Sequence, residues 1–515
     1  MIVKGAAICY NRLSATIYCM ACFDRGDSSR EEYANNMGTI TSILSTVFAV
    51  LQCVSAALPR MQPQRITVQP ERAYQTFEGW GTSACWWPQM IDEEEMAEEI
   101  ARALYGDTGL NLDIYRYNVG GGENDNPASR IWERARRTES FYAYNPRTER
   151  YEFDFTRDAN ARRMLDKAIG QGAKEVVLFC NSPHFSMTRS GQASGGLEEG
   201  VSNLPPENYQ AFVDYLLAIA DWFVAQGYPV SGISPINEPQ WGWGGGWVGQ
   251  EGCHYTPEET VALLELFAVT MRERGAPYRL VGPESGDMSD AHTAYTDAFW
   301  GSEILRGACD TFSGHSYWMD NDIVKKWISG LRFKCRTPDK KFEMSEWCEL
   351  PQKIDVTAID SGLYMANIIV QDLTLLNAVS WQSWTAVNGD GVMDIRDGQL
   401  RYYNRYWAYK QFSAFIREGA KRVAVRDSFG LGSELACAAF RQGGETVLVL
   451  LNNAQEARAI RLDGRYSAMQ VYVTDAEKRC ELCYDGAFAA AQTLPARSIS
   501  TFLLAQDCFY WQAAV

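Results

Sequence analysis

The chain has 515 residues, 46% hydrophobic and 22% charged, which is ordinary globular composition and enough for one large core plus a smaller companion domain. Its formal net charge of −16 argues against a nucleic-acid binder, which needs clustered Lys and Arg, and suits a soluble protein acting on a neutral ligand. The 14 Cys follow no regular framework, Cys480-x-x-Cys483 has no second pair or His cluster beside it, and no HExxH, GxSxG or P-loop occurs, so no metal or cofactor is implied.

Residues 1–60 read differently from the rest. Ile40 to Leu58 is a charge-free apolar run followed by Pro59 and Arg60. As a signal-peptide h-region, with Ser55-Ala56-Ala57 as its small-residue exit, it implies secretion. Its length also fits a membrane anchor, although no stable membrane association is expected after processing. The run lies far from the first Met, and no Lys or Arg stands between Met37 and it. Met37 and Met61 are therefore alternative starts. From Met61 the protein is cytoplasmic and its cysteines stay reduced.

From residue 77 one theme repeats: a short apolar strand ending in polar or aromatic residues, then a helical stretch. The predicted strands are Phe77–Ser83, Leu112–Val119, Glu175–Asn181, Gly232–Asn237, Tyr278–Pro283, Thr311–Tyr317, Lys341–Glu346 and Ala378–Trp384. Between them lie amphipathic segments such as Asn208 to Gly227, which closes on a Gly. Thr256-Pro257-Glu258-Glu259 opens another helix with a good cap and a first-position Pro. Alternating strands and helices imply a parallel sheet. Eight units fit a closed (β/α)8 barrel over 77–420 better than an open doubly wound sheet. No dinucleotide fingerprint follows the first strand. Beyond residue 420, Glu434–Phe440, Thr446–Leu451, Ala457–Leu462, Gln470–Thr474 and Ser498–Leu504 read as the short strands of a β-sandwich over 421–515. The strand-like Arg65–Val68, within 61–76, joins that sandwich. The fold class is therefore α/β, a (β/α)8 barrel with an attached β-sandwich.

The active site of such a barrel gathers at the C-terminal ends of its strands. Those ends offer Trp86 and Trp87, then Arg116 and Asn118, Asn181 and Ser182, Asn237 and Glu238, Glu284, His315 and Tyr317, Glu346, and finally Trp381 and Trp384. Gly120–Gly122 reads as a tight loop beside the ligand, since no P-loop spacing follows. Tryptophans among glycines, as in WGWGGGW (Trp241 to Trp247) and CWWP (Cys85 to Pro88), suggest exposed ring faces suited to the C–H faces of sugars. Glu238 and Glu346 each end an apolar strand, on opposite sides of the barrel. Two carboxylates flanking one point are what glycoside hydrolysis needs: one donates a proton to the leaving oxygen, the other meets the positive charge developing at the sugar carbon. Burial or a like charge must keep the acid protonated while the other stays ionised. Arg116 is the candidate partner for the charged one.

The segments FEGWGTSACWW, YRYNVGGG, NSPHFSMT, INEP, GHSYW, MSEW and WQSW together resemble glycoside hydrolase family 30, within the clan of retaining (β/α)8 glycosidases. The resemblance covers the chain after residue 62, sandwich included. It implies Glu238 as general acid/base and Glu346 as nucleophile. It also implies Asn237 at the sugar 2-hydroxyl, and Arg116, Tyr317 and Trp381 orienting the nucleophile or lining the −1 subsite. Trp86, Trp87, Asn118, Ser182, Trp241 and His315 are further candidates for holding an oligo- or polysaccharide. The loops WGTSxCWW and QEGC (Gln250 to Cys253) look most like the endo-β-1,6-galactanase branch. Rival readings within the family are β-glucosidase, β-xylosidase, xylanase and β-fucosidase. A transglycosidase would use the same two acids, and a non-catalytic carbohydrate-binding protein would usually lose one of them.

Overall fold

A computed structural model describes residues 63–246, 249–288, 293–319, 323–350, 355–429 and 433–505. The apolar run at 40–58, Met37, Met61 and Trp247 lie outside the described residues.

The barrel strands in order are Gly79–Ala84, Ile114–Asn118, Glu175–Phe179, Val230–Ser234, a fifth in two pieces (Arg279–Leu280 and Pro283–Ser285), Thr311–His315, Lys341–Glu346 and Ala378–Ser383. All neighbours are parallel, and the eighth strand pairs with the first through Trp381 and Trp80. The two pieces of the fifth strand close the ring. Leu280 pairs with Ile233 of the fourth strand, and Pro283 with Ser313 of the sixth. Pro283 has no N–H to give a ladder, and the break falls there. A helix follows every strand. The fourth is followed by Pro257–Arg274, where Thr256 and Glu259 form a reciprocal capping box and Gly275 ends the helix at φ +65°. The segment predicted as a helix over Asn208–Gly227 is helical over Tyr209–Ala225.

Strand periodicity decides what faces inward. In Ile114–Asn118, Tyr115 packs outward on Tyr105 and Tyr117 bonds Asp158, so Arg116 points into the barrel. Below it, Ile114, Val177 and Val281 form a small apolar plug. Only the seventh strand ends where predicted, and three of the shifts bear on the site. The fourth stops at Ser234 and the sixth at His315, so Asn237, Glu238 and Tyr317 stand on the loops above. The fifth runs on to Ser285, so Glu284 lies within it.

The side domain is one nine-stranded sheet rather than six strands. Lys421–Asp427, Glu481–Ala487 and Ala491–Leu494 were not legible. The second is almost wholly exposed and shows no apolar alternation, and the third is only four residues long. The strand Gln64–Thr76 pairs antiparallel with Lys421–Asp427 and parallel with Arg458–Asp463. The sheet closes over itself. Ile66, Val68, Leu448, Leu450, Leu462, Met469 and Phe502 share one core, while Val447, Val449 and Leu451 of the same central strand face the barrel. Phe77 and Ala420 mark the junction, with Phe77 N donating to Ala420 O at 2.8 Å. Gln411 ties the domains through Thr474 at 2.9 Å and Thr501 at 2.7 Å.

Candidate active site

Six strands deliver a single polar cluster. Arg116 is fully buried, its guanidinium carbon 3.8 Å from the centre of the Phe179 ring. Its Nη1 donates to Glu346 Oε2 at 2.7 Å and to Ser83 Oγ at 3.0 Å. Its Nη2 donates to Asn237 Oδ1 at 3.0 Å and lies 3.3 Å from Glu284 Oε1. Tyr317 OH donates to Glu346 Oε1 at 3.2 Å. His315 sits between three carboxylates: Nδ1 is 3.0 Å from Glu238 Oε1 and 3.7 Å from Glu346 Oε1, and Nε2 is 3.2 Å from Glu284 Oε2. Glu238 and Glu284 hold φ values of +46° and +55°, a conformation that costs a non-glycine residue energy and persists where the surroundings enforce it. Glu238 N donates to Glu284 O at 2.9 Å, and Trp243 Nε1 to Glu238 O at 2.9 Å.

Charge follows from this wiring. Burial by itself raises the Glu284 carboxyl, but Arg116, His315 and Ser345 together hold it down at about 2. Burial by itself lowers the His315 imidazole, but Glu346 and hydrogen bonds to Glu238 and Glu284 raise it to about 10. Burial pushes the Glu346 carboxyl up and Glu238 adds to that push, while His315 and Arg116 pull against it. Two carboxylates this close in a buried site favour one negative charge over two. The direct bonds from Arg116 and Tyr317 favour Glu346 as the ionised member.

One oxygen each of Glu238 and Glu346, with a His315 nitrogen, lie within 4.8 Å of one another. As a metal site this trio is compromised, because a guanidinium already occupies Glu346 and a cation would sit beside it. As an acid–nucleophile pair, one oxygen from each within 4.8 Å is compatible with the about 5–5.5 Å between carboxyls of retaining glycosidases.

Above the pair lies a cleft of about 450 Å³. Trp86, Trp241, Tyr317, Glu238 and Glu346 line it, together with Trp384, Trp318, Arg136, Glu199 and Gln250. Arg116 and His315 do not line it themselves but hold the two glutamates that do, and Arg116 also holds Asn237.

Four candidates lie elsewhere. Trp381 faces the helix layer, its Nε1 donating to Asp372 Oδ2 at 2.9 Å, because position 381 is out of phase with the inward residues of its strand. The tryptophan of that segment in the cleft is Trp384. Trp87 opens a short 3₁₀ turn and is buried, its Nε1 bonded to Ser83 O at 3.3 Å. Ser182 bonds Pro183 O, and Asn118 accepts from Asn181, and neither lines the cleft. The glycine-flanked tryptophans are also less exposed than expected: Trp86 is 6% and Trp243 7% exposed. Trp243 lines the cleft as well, and its Nε1 holds the Glu238 carbonyl.

Ser83 and Glu284 carry more of the wiring than the sequence suggested. Glu284 stood at a strand end and Trp318 closed the GHSYW segment, so their signals were present; Arg136 had none, since loop tips follow no period.

A (β/α)8 barrel with two glutamates this close at its C-terminal face, backed by Arg, Tyr and His, has the form of a glycosidase. Residues 63–398 match O-Glycosyl hydrolase family 30, and the chain belongs to that family. The chain is 24% identical over 422 residues to an endo-beta-1,6-galactanase of Hypocrea rufa, covering 77% of this chain and 83% of that one. It is 26% identical over 236 residues to an exo-beta-1,6-galactobiohydrolase of Bifidobacterium longum subsp. longum, covering 34% of this chain and 15% of that one. The crystal structure of a conserved exported protein from Bacteroides fragilis superposes with a TM-score of 0.78 at 25% identity, covering 85% of this chain and 99% of that one.

Proposed function

We propose that this glycosidase cuts β-1,6-linked galactan internally, with Glu346 as nucleophile and Glu238 as general acid/base. The observation that carries the reading is the Glu238–Glu346 pair, with carboxyl oxygens within 4.8 Å and Arg116 on the nucleophile. A Glu346 oxygen attacks the anomeric carbon from the face opposite the leaving group. The glycosidic C–O bond breaks as Glu238 gives its proton to the leaving oxygen. A glycosyl ester forms on Glu346. Water then attacks that carbon, Glu238 takes the water proton, and the ester bond breaks to restore the Glu346 carboxylate with net retention. The β-1,6-galactose preference rests on the two relatives named for it.

Internal cutting is supported by aromatic walls on both sides of the acids. Trp86 and Trp384, after the first and eighth strands, meet edge to face at 5.4 Å. Trp241 and Trp318, after the fourth and sixth strands on the far side, meet at 4.5 Å. Sugar rings pack their C–H faces on such rings, so units on both sides of the cut find a surface.

The test is digestion of β-1,6-, β-1,4- and β-1,3-linked galactans and a panel of nitrophenyl β-glycosides, with products resolved by size and by anomer. A ladder of galacto-oligosaccharides from the β-1,6 polymer, appearing first as β-anomers, is the expected result. Release of single sugars or disaccharides alone moves the enzyme to exo action. First appearance of α-anomers overturns the two-step mechanism.

A further inference from the structure

Glu284 takes no part in the chemistry just described, yet it is fully buried at the centre of the cluster. Its two oxygens are completely used. Oε1 accepts from Ser234 Oγ at 3.0 Å and faces Arg116 Nη2 at 3.3 Å. Oε2 accepts from Ser345 Oγ and faces His315 Nε2 at 3.2 Å. It therefore stands behind both cations that touch the catalytic pair: Arg116 on Glu346, and His315 on Glu238.

The His315 arm has a specific consequence. A neutral imidazole has one donor and one acceptor nitrogen; a cationic one has two donors. A carboxylate at Glu284 requires Nε2 to donate. If the ring were neutral, Nδ1 would then be an acceptor. Glu238 would have to place its proton on Oε1, pointing at His315 and away from the glycosidic oxygen. If the ring is cationic, Nδ1 donates to Oε1, and the Glu238 proton is left on Oε2.

We propose that Glu284 is a positioning residue that keeps His315 doubly protonated, so that His315 occupies Glu238 Oε1 as a donor and directs the catalytic proton of Glu238 to its other oxygen. The inference rests on Glu238 being the acid/base. The groups facing His315 are Glu238, Glu284 and Glu346, with the Tyr317 ring 5.7 Å away between centroids. With Glu238 holding its proton, the charged neighbours are the Glu284 and Glu346 carboxylates, which favour the cation, in line with an imidazole raised to about 10. The same arrangement serves the second half-reaction. Once Glu346 is esterified and Glu238 is anionic, the Nδ1–H still holds Oε1 and leaves Oε2 to take the proton of water.

The first experiment needs no variant. The protein has four histidines, so nitrogen NMR of the histidine-labelled enzyme can follow each ring. Both His315 nitrogens should remain protonated at about pH 8, well above an ordinary histidine; a neutral His315 ring at that pH overturns the proposal. The second is Glu284→Gln, measured on two substrates that differ only in leaving group. On galacto-oligosaccharides, whose leaving oxygen needs a proton, kcat/KM should fall by about 100-fold. On a dinitrophenyl β-galactoside, whose leaving group needs none, it should fall by less than about threefold. Equal losses on both substrates would mean that Glu284 acts through Arg116 on the nucleophile, or on folding, and would refute the His315 assignment. A wild type inactive on every galactoside but active on another dinitrophenyl glycoside would overturn the substrate assignment alone. The leaving-group comparison then runs on that sugar, and the NMR result is unaffected. If Glu284→Gln does not fold, Ser345→Ala, which removes one donor to Glu284 Oε2, should show the same leaving-group bias in weaker form, and no bias would count against the proposal.

Discussion

Arg116 Nη1 lies 2.7 Å from Glu346 Oε2 with neither side chain more than 5% exposed, and the other arm of the same guanidinium reaches Asn237 and Glu284. One planar fork thus sets Glu346, the amide of Asn237 and the buried Glu284 in fixed relation. Lysine cannot reproduce this, because its ammonium is a point charge without the fork. Arg116→Lys should lower kcat by about 100-fold or more. It should also destabilise the fold by about 3–5 kcal/mol, because a buried carboxylate loses its partner. Denaturant melts and steady-state kinetics on the same preparation check both; full activity would remove Arg116 from the site.

Glu346→Gln keeps the shape of the side chain and removes the charge. It should lower kcat by several orders of magnitude, since a nucleophile that cannot form the ester leaves only binding and the acid. Circular dichroism and thermal melts should stay close to wild type. Loss of less than about tenfold contradicts the nucleophile assignment.

The two tryptophans of the eighth segment should separate cleanly. Trp384→Ala removes part of the cleft wall against Trp86 and should reduce kcat/KM on polymer by about tenfold. Trp381→Phe loses the bond to Asp372, which keeps Ser316 at 2.7 Å and Lys326 at 2.9 Å. Its cost should appear as about 1–3 kcal/mol of stability, with KM unchanged. A KM change in Trp381→Phe and none in Trp384→Ala would reverse the assignment drawn from their orientations.

Glu251 predicts a pH dependence of stability. It is fully buried, accepting from Thr138 Oγ1 at 2.5 Å and from Gly121 N at 3.1 Å. Burial pushes its carboxyl up to about 8; the bonds from Thr138 and Gly121 oppose this and the charge of Glu123 adds to it. In the unfolded chain a Glu titrates near about 4.3. Between these values the folded protein keeps a proton that the unfolded chain has lost, so stability falls as pH rises through that window. Glu251→Gln removes the effect. Its unfolding free energy should decline less steeply than wild type from about pH 5 to pH 8. Parallel slopes for the two proteins would show that Glu251 is ionised when folded.

The barrel was legible because each of its strands is a short apolar run with a helix after it, and such runs survive in one dimension. Glu238, Glu346 and Arg116 were legible because they stand at the ends of those runs, where a barrel collects its chemistry. The phase of a strand end was not legible. Trp381 and Trp384 both read as strand-end aromatics, and only the pleat of the eighth strand sends one to the helices and the other to the cleft. Side-sheet strands such as Glu481–Ala487 carry no apolar alternation, because they are exposed and held by their neighbours' backbones. The sequence by itself determined the architecture, the two glutamates and the arginine, since burial pattern and residue chemistry act locally along the chain. Only the tertiary structure decided that Glu284 underlies both cations and that Trp318 faces Trp241. Those contacts join segments far apart in the chain, and their geometry exists only once the ring of strands has closed.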